Sequence, residues 1–353
     1  MTLATTWTRA LAPEDQRDFD AFVERAGAAS YAQSRAFAEL LTAGRAFTVR
    51  YFLARRGTQL VGAAQVLRAK LPGPLNLPAP AVVIERGPVT ANIHDLPVVL
   101  KALGRQLRRR GVFHAQIMPY WAGADVHAVE GLLAEAGYVL SQKPDGAHAC
   151  TLRIALSGSQ DPLAGSALSK LRSMLRQCER ANVQTRPGSA ADVPKLRALH
   201  DQMMRAQNMG TKAPQYFDAL AATLQSGHAH LFVSEQDGAL LAAAYITVFG
   251  GQATYVLGAS GAQKVPFSKM APAVAAAVRF AAAQELRVFD LGGVPIDGDE
   301  DPRRNSIALF KFHFAKERVP LVREHRRLLL PAPRRKASPS PSPQSTASPK
   351  RET

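Results

Sequence analysis

The pattern of hydrophobic and polar residues contains two similar pairs of short apolar runs. These runs are Tyr51–Ala54, Leu60–Ala64, Leu231–Ser234 and Leu240–Ala244. Each pair surrounds a glycine turn, Arg56-Gly57 in the first pair and Asp237-Gly238 in the second. Apolar runs around a glycine turn predict β-hairpins. The turns lie 180 residues apart (237 minus 57), so the pattern predicts an internal repeat.

Each hairpin is followed by a helical pattern and then by another strand. Apolar residues at helical spacing predict a helix over 96–110, ahead of a strand over 112–117. In the second half, an alanine-rich helix over 271–284 precedes a strand over 288–291. Both halves therefore have the order hairpin, strand, helix, strand. This order predicts an α/β (α+β) fold with mixed sheets flanked by helices.

The second of these strands leads into the chain's most informative segment. It runs into Asp290-Leu291-Gly292-Gly293, and Phe310-Lys311-x-x-Phe314 follows after an acidic loop. Paired glycines allow a ligand or another chain to approach the backbone closely. An alternative is that the glycines form only a turn, and that Phe310, Phe312 and Phe314 alternate along a strand with Lys311 in solvent.

The combination of D-L-G-G-[IV] and F-K-x-x-F is similar to the C-terminal signature of the FemABX family. Members of that family are aminoacyl-tRNA-dependent peptidyltransferases with two GNAT-like acyltransferase domains, and they extend the peptidoglycan stem peptide. The resemblance covers roughly residues 25 to 330. It implies tandem GNAT-like domains at 1–155 and 156–330, followed by a disordered, basic, Pro/Ser-rich tail at 331–353.

The resemblance implies that an acceptor amine attacks an activated ester, which requires stabilisation of an oxyanion and deprotonation of the amine. We expect Lys311 to stabilise the oxyanion, with Phe310 and Phe314 excluding water. Asp290 is the candidate to orient or deprotonate the amine. Asp299, Glu300 and Asp301 are further candidates for the role of Asp290. Candidates for contact with the substrate are the backbone of Gly292 and Gly293 and the side chain of Tyr255.

Net charge adds a second candidate surface. The chain carries a formal charge of +16, and little of this excess lies in the tail. Arg172, Arg176 and Arg180 recur every fourth residue along one predicted helix. This spacing places them on one flank, where they could bind the phosphates of a substrate or of tRNA. The alternative is an ordinary solvated helix face.

The identity of the acyl donor can be inferred from the loop with which CoA-dependent GNAT enzymes bind the pyrophosphate of CoA. Their R/Q-x-x-G-x-G/A spacing is missing from the corresponding residues 258–266. We therefore expect aminoacyl-tRNA as donor, with no separate cofactor, and an amine of a peptidoglycan precursor or a related acceptor. The alternatives are an N-acyltransferase that uses acyl-CoA or acyl-carrier protein on a sugar or lipid amine, and a non-catalytic module that binds tRNA or a membrane surface.

The sequence departs from the family pattern on the acceptor side. Gln33-Ser34-x-x-Phe37-Ala38 resembles a family element, but Leu41 stands where a lysine is expected. Two cysteines and the scattered histidines predict no disulfide scaffold and no metal site. No apolar run approaches the roughly 20 residues that span a bilayer. We expect a cytoplasmic protein, with peripheral contact to the inner membrane as a further expectation.

Overall fold

The computed structural model describes residues 3–43, 47–70, 79–142, 149–156, 161–165, 168–295 and 302–329. Two mixed β-sheets, each flanked by helices, form the fold. The predicted α/β architecture is therefore confirmed. The predicted tail at 331–353 and the acidic residues Asp299, Glu300 and Asp301 lie outside the described residues.

Helices and strands alternate in the first half of the chain. Its strands are β1 (Ala4–Thr8), β2 (Phe47–Arg56), β3 (Gln59–Ala69), β4 (Ala81–Arg86), β5 (Val89–Thr90), β6 (His114–Pro119) and β7 (Val139–Leu140). Its α-helices are α1 (Pro13–Arg25), α2 (Arg35–Ala43), α3 (Leu96–Arg109) and α4 (Asp125–Glu135).

The second half repeats this alternation. Its strands are β8 (Cys150–Ala155), β9 (Gln184–Gly188), β10 (Ala229–Gln236), β11 (Ala239–Phe249), β12 (Gln252–Ser260), β13 (Val288–Val294), β14 (Arg318–Pro320) and β15 (His325–Leu328). Its α-helices are α5 (Ser169–Arg180), α6 (Val193–Ala206), α7 (Pro214–Gln225), α8 (Ala271–Ala283) and α9 (Pro302–Lys311).

Both predicted hairpins form, and they share an irregularity that supports the repeat. The β2–β3 pairing skips Val61, and the β10–β11 pairing skips Leu241. These bulged residues lie 180 positions apart (241 minus 61), the same spacing as the turns. At the second turn, Asp237 and Gly238 both have positive φ, as a two-residue hairpin turn requires.

The helices predicted from apolar spacing cover the sheets as expected. Val99, Leu103 and Leu107 of α3 are fully buried against the first sheet. Ala273, Ala277 and Ala281 of α8 are buried against the second. Side chains this small allow α8 to lie close to the strands beneath it.

The two predicted domains, 1–155 and 156–330, exchange strands at their boundaries. The first sheet has the order β1-β2-β3-β4-β6-β15-β7, with β5 beside β3. The second has the order β14-β8-β13-β12-β11-β10-β9. Thus β8, which ends at the predicted boundary at residue 155, pairs in the second sheet, and β15 returns to the first. The pattern of apolar runs does not reveal this exchange, because it specifies strands and not their partners.

The segment that ends at Lys311 is a helix, and not the strand that the alternative interpretation predicted. Lys311 ends helix α9, so a strand through Phe310, Phe312 and Phe314 is wrong. Gly292 and Gly293 lie within β13 and not in a turn after it. Among the described helices, none is long and apolar enough to cross a membrane.

Candidate functional site

Parallel strands β12 and β13 separate partway along their length. They pair at three positions, the last being Thr254 with Asp290. Beyond this point β12 continues to Ser260 and β13 to Val294 without further pairing between them. In the first half, β4 and β6 pair at six positions, up to Arg86 with Pro119. The open gap is therefore a feature of the second half.

A bulge in β12 lies at the start of this gap. Tyr245 of β11 is opposite Leu257, and Ile246 is opposite Tyr255, so Val256 is the extra residue. A bulge leaves its extra residue out of the ladder and re-aims the strand. Past Thr254, the β13-facing edge of β12 therefore offers backbone groups that are not used in pairing with β13. Such groups can donate to a substrate oxygen.

Gly292 lies on the opposite side of the gap, and any other residue at this position would strain the backbone. Its φ of +77° is in the region that favours glycine. A Cβ here would lie 3.0 Å from the carbonyl oxygen of Tyr255 and 3.6 Å from Lys311 Nζ. The backbone of β12 and the side chain of Lys311 thus lie close to Gly292, which brings β12, β13 and α9 together. The approach of a ligand to these glycines stays a prediction.

Lys311 is buried beside these glycines. Its side chain extends from the last residue of α9, and Nζ donates to the carbonyl oxygen of Gly293 at 2.8 Å. The residue is only 7% exposed. Burial lowers the pKa of Lys311 to about 8, and the charge of Asp290 opposes this shift. A buried ammonium at the gap can stabilise negative charge on a reacting oxygen.

Phe310 and Phe314 flank Lys311. Their ring centroids lie 5.4 Å apart in an edge-to-face arrangement, and Phe314 is buried. Both rings pack, together with Phe289, in the hydrophobic core between the second sheet and α8. They therefore limit access of water to Lys311 from that side.

Asp290 is buried and accepts hydrogen bonds from four donors. Tyr120 Oη donates to Oδ2 at 2.6 Å, Arg153 Nε donates to Oδ2 at 3.1 Å, and the amide of Gly292 donates to Oδ1 at 2.7 Å. Thr151 Oγ1 also donates to Oδ1. Both carboxylate oxygens are thus occupied, an arrangement that suits a group holding its neighbours in position better than a proton acceptor.

The donors to Asp290 come from both halves of the chain. Tyr120 follows β6, whereas Arg153 belongs to β8. Burial and the neighbouring Asp290 raise the pKa of Tyr120 to about 12. Burial disfavours the charge on Arg153, but Tyr120 and Asp290 outweigh it and raise its pKa. A cavity of about 390 Å³ between the halves is lined by Tyr120, Arg153 and Gln252, among others.

Tyr255 is half-buried and packs against the core of the second half. Its hydroxyl occupies the space above Gly258, only 1.7 Å from where a Cβ would stand. Burial raises the pKa of Tyr255. Its backbone faces Gly292, whereas its ring contributes to the core of the second half.

The basic flank of α5 forms as predicted. Leu171 and Cys178 are buried, while Arg176 and Arg180 are exposed and have no ion pair among the described residues. Arg172 is half-buried and donates to the carbonyl oxygen of Ala164 at 3.0 Å. Leu171 packs in the same hydrophobic core as Phe314, so α5 belongs to the half that contains Lys311.

Gln33, from the element that resembles a family motif, is a buried structural residue. Its amide donates to the carbonyl oxygen of Glu85 at 2.5 Å and accepts from the amide of Gln65 at 2.7 Å. It thereby bridges β3 and β4, which have only one registered pair, Leu67 with Val83.

Tyr120, Thr151 and Arg153 were not predicted as site residues from the sequence. These residues are far from Asp290 in sequence and follow no motif. The only signal is that Asp290 is an acid within an apolar strand, which requires buried partners somewhere in the fold.

Comparisons with known proteins agree with this architecture. Residues 165–302 match the model of the acetyltransferase (GNAT) domain. No curated protein sequence matches the chain. The chain is similar to the crystal structure of FemX, with a TM-score of 0.76 and 16% identity over 92% of this chain and 97% of that one.

Two further solved structures share the fold. The structure of L-PGS from Bacillus licheniformis has a TM-score of 0.58 and 16% identity, over 90% of this chain and 92% of that one. A tandem GNAT protein from the clavulanic acid biosynthesis pathway has a TM-score of 0.54 and 13% identity, over 93% of this chain and all of that one. Residues 165–302 thus form an acetyltransferase (GNAT) domain, and the chain as a whole shares its fold with FemX.

Proposed function

We propose that the protein transfers an aminoacyl group from aminoacyl-tRNA to an amine of a peptidoglycan precursor or a related acceptor. The observation that carries this proposal is the buried ammonium of Lys311 beside the gap between β12 and β13. An acyl group in this gap would lie between unpaired backbone of β12 and the only described lysine that is buried. Such a site favours a reaction in which a carbonyl oxygen becomes negatively charged.

The reaction would proceed by addition and elimination. The acceptor nitrogen attacks the ester carbon and forms the new C–N bond, while the carbonyl oxygen takes up negative charge next to Lys311. When the intermediate collapses, the C–O bond to the tRNA ribose breaks. The proton lost by the nitrogen balances the one gained by the ribose hydroxyl.

The start of α8 supports a donor other than an acyl-CoA. GNAT enzymes that use CoA bind its pyrophosphate through backbone amides at a helix N-terminus. Here the amide of Ala271 donates to Ser268 Oγ at 3.3 Å, and Pro272 has no amide hydrogen to donate. Lys269 Nζ also donates to the carbonyl oxygen of Gln263 at 2.6 Å, which ties the preceding loop to itself.

The solved structures of this fold also support aminoacyl transfer. One belongs to the C-terminal domain of a putative lysylphosphatidylglycerol synthetase from Agrobacterium fabrum, with a TM-score of 0.57 and 18% identity over 88% of this chain and 91% of that one. Its name specifies a product with a lysyl group. For this chain, the exposed Arg176 and Arg180 would bind tRNA phosphates, since neither forms an ion pair with a described residue.

The test compares Lys311→Met with Lys316→Met. Lys316 is exposed, five residues further along, and donates to the carbonyl oxygen of Phe312 at 2.7 Å. Transfer of a labelled amino acid from charged tRNA to an amine acceptor should fall by about 100-fold or more in Lys311→Met, the usual cost of losing an oxyanion donor. Lys316→Met should transfer at close to the wild-type rate.

Binding measurements separate the remaining alternatives. The proposal predicts saturable binding of charged tRNA and no stabilisation by acetyl-CoA or longer acyl-CoA esters. Stabilisation by a CoA ester, with only salt-sensitive and non-saturating tRNA binding, would replace it with an N-acyltransferase. No transfer by the wild type, together with tRNA binding that Lys311→Met leaves unchanged, would instead indicate a binding module without catalysis.

A further inference from the structure

A pocket at one end of the first sheet is lined by four arginines. It has a volume of about 440 Å³, and the arginines are Arg9, Arg50, Arg68 and Arg110. Trp7 and Thr8 form part of its wall, and none of the described residues that line it is acidic. All of these residues belong to the first half, whereas Lys311 and the gap belong to the second.

The fold brings the arginines together where α3 ends. Trp7 is opposite Phe52, and Arg50 is opposite Val66, on neighbouring strands β1, β2 and β3. Phe52 and Val66 are buried in the core that α3 covers. Because side chains alternate between the faces of a strand, Arg50 extends this same face beyond the core.

Two more arginines complete the cluster from either side. Arg68 is two residues beyond Val66 on β3, so it shares the face of Arg50. Arg110 directly follows α3, and its guanidinium lies 4.8 Å from the centre of the Trp7 ring. The apolar side of the sheet thus changes abruptly into a basic one.

None of the four arginines forms an ion pair with a described residue. Elsewhere, arginines on the surface do pair: Arg35 lies 2.7 Å from Asp20, and Arg186 lies 2.8 Å from Asp192. By sequence, residues 44–46 and 71–78, which flank these strands outside the described residues, contain no Asp or Glu. The positive charge of the pocket is therefore not balanced by nearby carboxylates.

Neutral backbone groups hold the arginines without using all their donors. Arg50 Nη1 donates to the carbonyl oxygen of Val49 at 2.6 Å, Arg68 Nε donates to that of Ala79 at 2.5 Å, and Arg110 Nη1 donates to that of Gln106 at 3.1 Å. A guanidinium has five N–H donors in about one plane, so several remain for a ligand. These bonds restrict Arg50, Arg68 and Arg110 and leave other N–H groups of each guanidinium unused.

Repulsion among the arginines also indicates a site for an anion. Burial lowers the pKa of Arg50, and the charges of Arg9 and Arg68 lower it further. Burial and the charge of Arg109 lower the pKa of Arg110. Like charges held together without a counterion destabilise the empty pocket. A bound anion would remove this repulsion.

We propose that this pocket binds a phosphate group with at least two negative charges, either a phosphomonoester or a diphosphate. Arginine matches phosphate oxygens with paired, charge-assisted hydrogen bonds. The volume fits a small ligand, for which sites of about 300 to 1,000 Å³ are usual. The lining includes no row of exposed aromatic side chains that would stack the bases of a nucleic acid strand. This assignment does not depend on the transfer reaction.

The test uses isothermal titration calorimetry with the full chain and three probes. These are inorganic pyrophosphate, ADP and vesicles of phosphatidylglycerol. Arg50→Gln/Arg68→Gln removes two charges from the pocket, and Arg17→Gln/Arg105→Gln removes two exposed charges elsewhere. We expect the pocket variant to bind pyrophosphate about tenfold more weakly or worse, and the matched control to change by less than about twofold.

The outcomes are distinguishable from one another and from failure of the transfer reaction. Tighter binding of ADP than of pyrophosphate would identify a nucleotide as the source of the diphosphate, and the reverse would identify a free diphosphate. Equal weakening in both double variants would overturn the proposal, as would binding confined to vesicles. Lys311→Met should bind pyrophosphate as the wild type does. Without ligand, Arg50→Gln/Arg68→Gln should melt at a temperature no lower than that of the wild type, because fewer positive charges repel one another in its pocket.

Discussion

At the scale of single residues, Lys311 combines a functional and an energetic role. The residue has a usual pKa of 10.5, which burial lowers to about 8 in the folded protein. Between these values the unfolded chain binds more protons than the folded one, so stability increases as pH rises through this interval. Holding the charge near neutral pH thus costs on the order of 3 kcal/mol. A cost of this size suggests that the charge at this position serves a function.

The pH dependence of transfer should reflect this lowered pKa. If the protonated form of Lys311 stabilises the oxyanion, its contribution declines as pH rises through about 8. Arginine keeps its proton in this range. We expect the ratio of wild-type to Lys311→Arg rates to fall between pH 7 and 9. Initial rates at each pH, with blanks lacking enzyme, would measure it, and a constant ratio would contradict a cationic role.

At the scale of elements, the site depends on strands that separate. The pairing of β12 and β13 ends at Thr254 with Asp290, and Gly292 then brings the backbone of β13 near Tyr255. The opening arises from local departures from regular strand geometry, a bulge at Val256 and the positive φ of Gly292. A regular pair of strands would close the space that an acyl group requires.

Substitution of Gly292 tests this arrangement. Gly292→Ala places a methyl group 3.0 Å from the carbonyl oxygen of Tyr255 and 3.6 Å from Lys311 Nζ. Gly57→Ala introduces similar strain at a φ of +61° but has nothing within 4 Å. Each should lose about 1 to 2 kcal/mol of stability from backbone strain. Only Gly292→Ala should also lose transfer activity by about tenfold or more, since its methyl group crowds the carbonyl oxygen of Tyr255 in the gap. Loss of activity in both variants would indicate a general effect of destabilisation.

The sequence predicted these elements better than their arrangement. The hairpins, α3, α8 and the basic flank of α5 follow from periodicity, because burial of one face dictates the pattern of apolar residues. Lys311 and Gly292 were identified through motifs. The role of Asp290 was not, because its partners Tyr120, Thr151 and Arg153 are brought to it only by the fold. The four-arginine pocket was missed for the same reason, since its residues come from separate elements.

At the scale of the whole molecule, Asp290 connects the two halves. Asp290→Asn would replace one acceptor oxygen by a donor and leave Arg153 without its buried partner. Breaking a buried ion pair in this way costs about 3 to 5 kcal/mol. Asp161→Asn is the matched control, because its contact with Arg279 is exposed, at 3.4 Å, and such pairs contribute about 0 to 1 kcal/mol. Urea unfolding would measure both, and equal losses would contradict a connecting role.

The exchange of strands predicts that the halves unfold together. Both tryptophans, Trp7 and Trp121, belong to the first half, whereas the buried Cys178 belongs to the second. In a Cys150→Ser variant, tryptophan fluorescence and the reactivity of the remaining thiol should change at the same urea concentration. Separate midpoints would show that each sheet is stable without the strand it receives from the other predicted domain.

The exchange also has a consequence for the order in which the protein can fold as it is synthesised. β15 lies between β6 and β7, with His325 opposite both Ile117 and Leu140. The ribosome makes β6 and β7 long before it makes β15. The first half of the chain must therefore leave the ribosome with an open slot in its sheet, and the nascent protein exposes two strand edges there until residues 325–328 emerge and fill it.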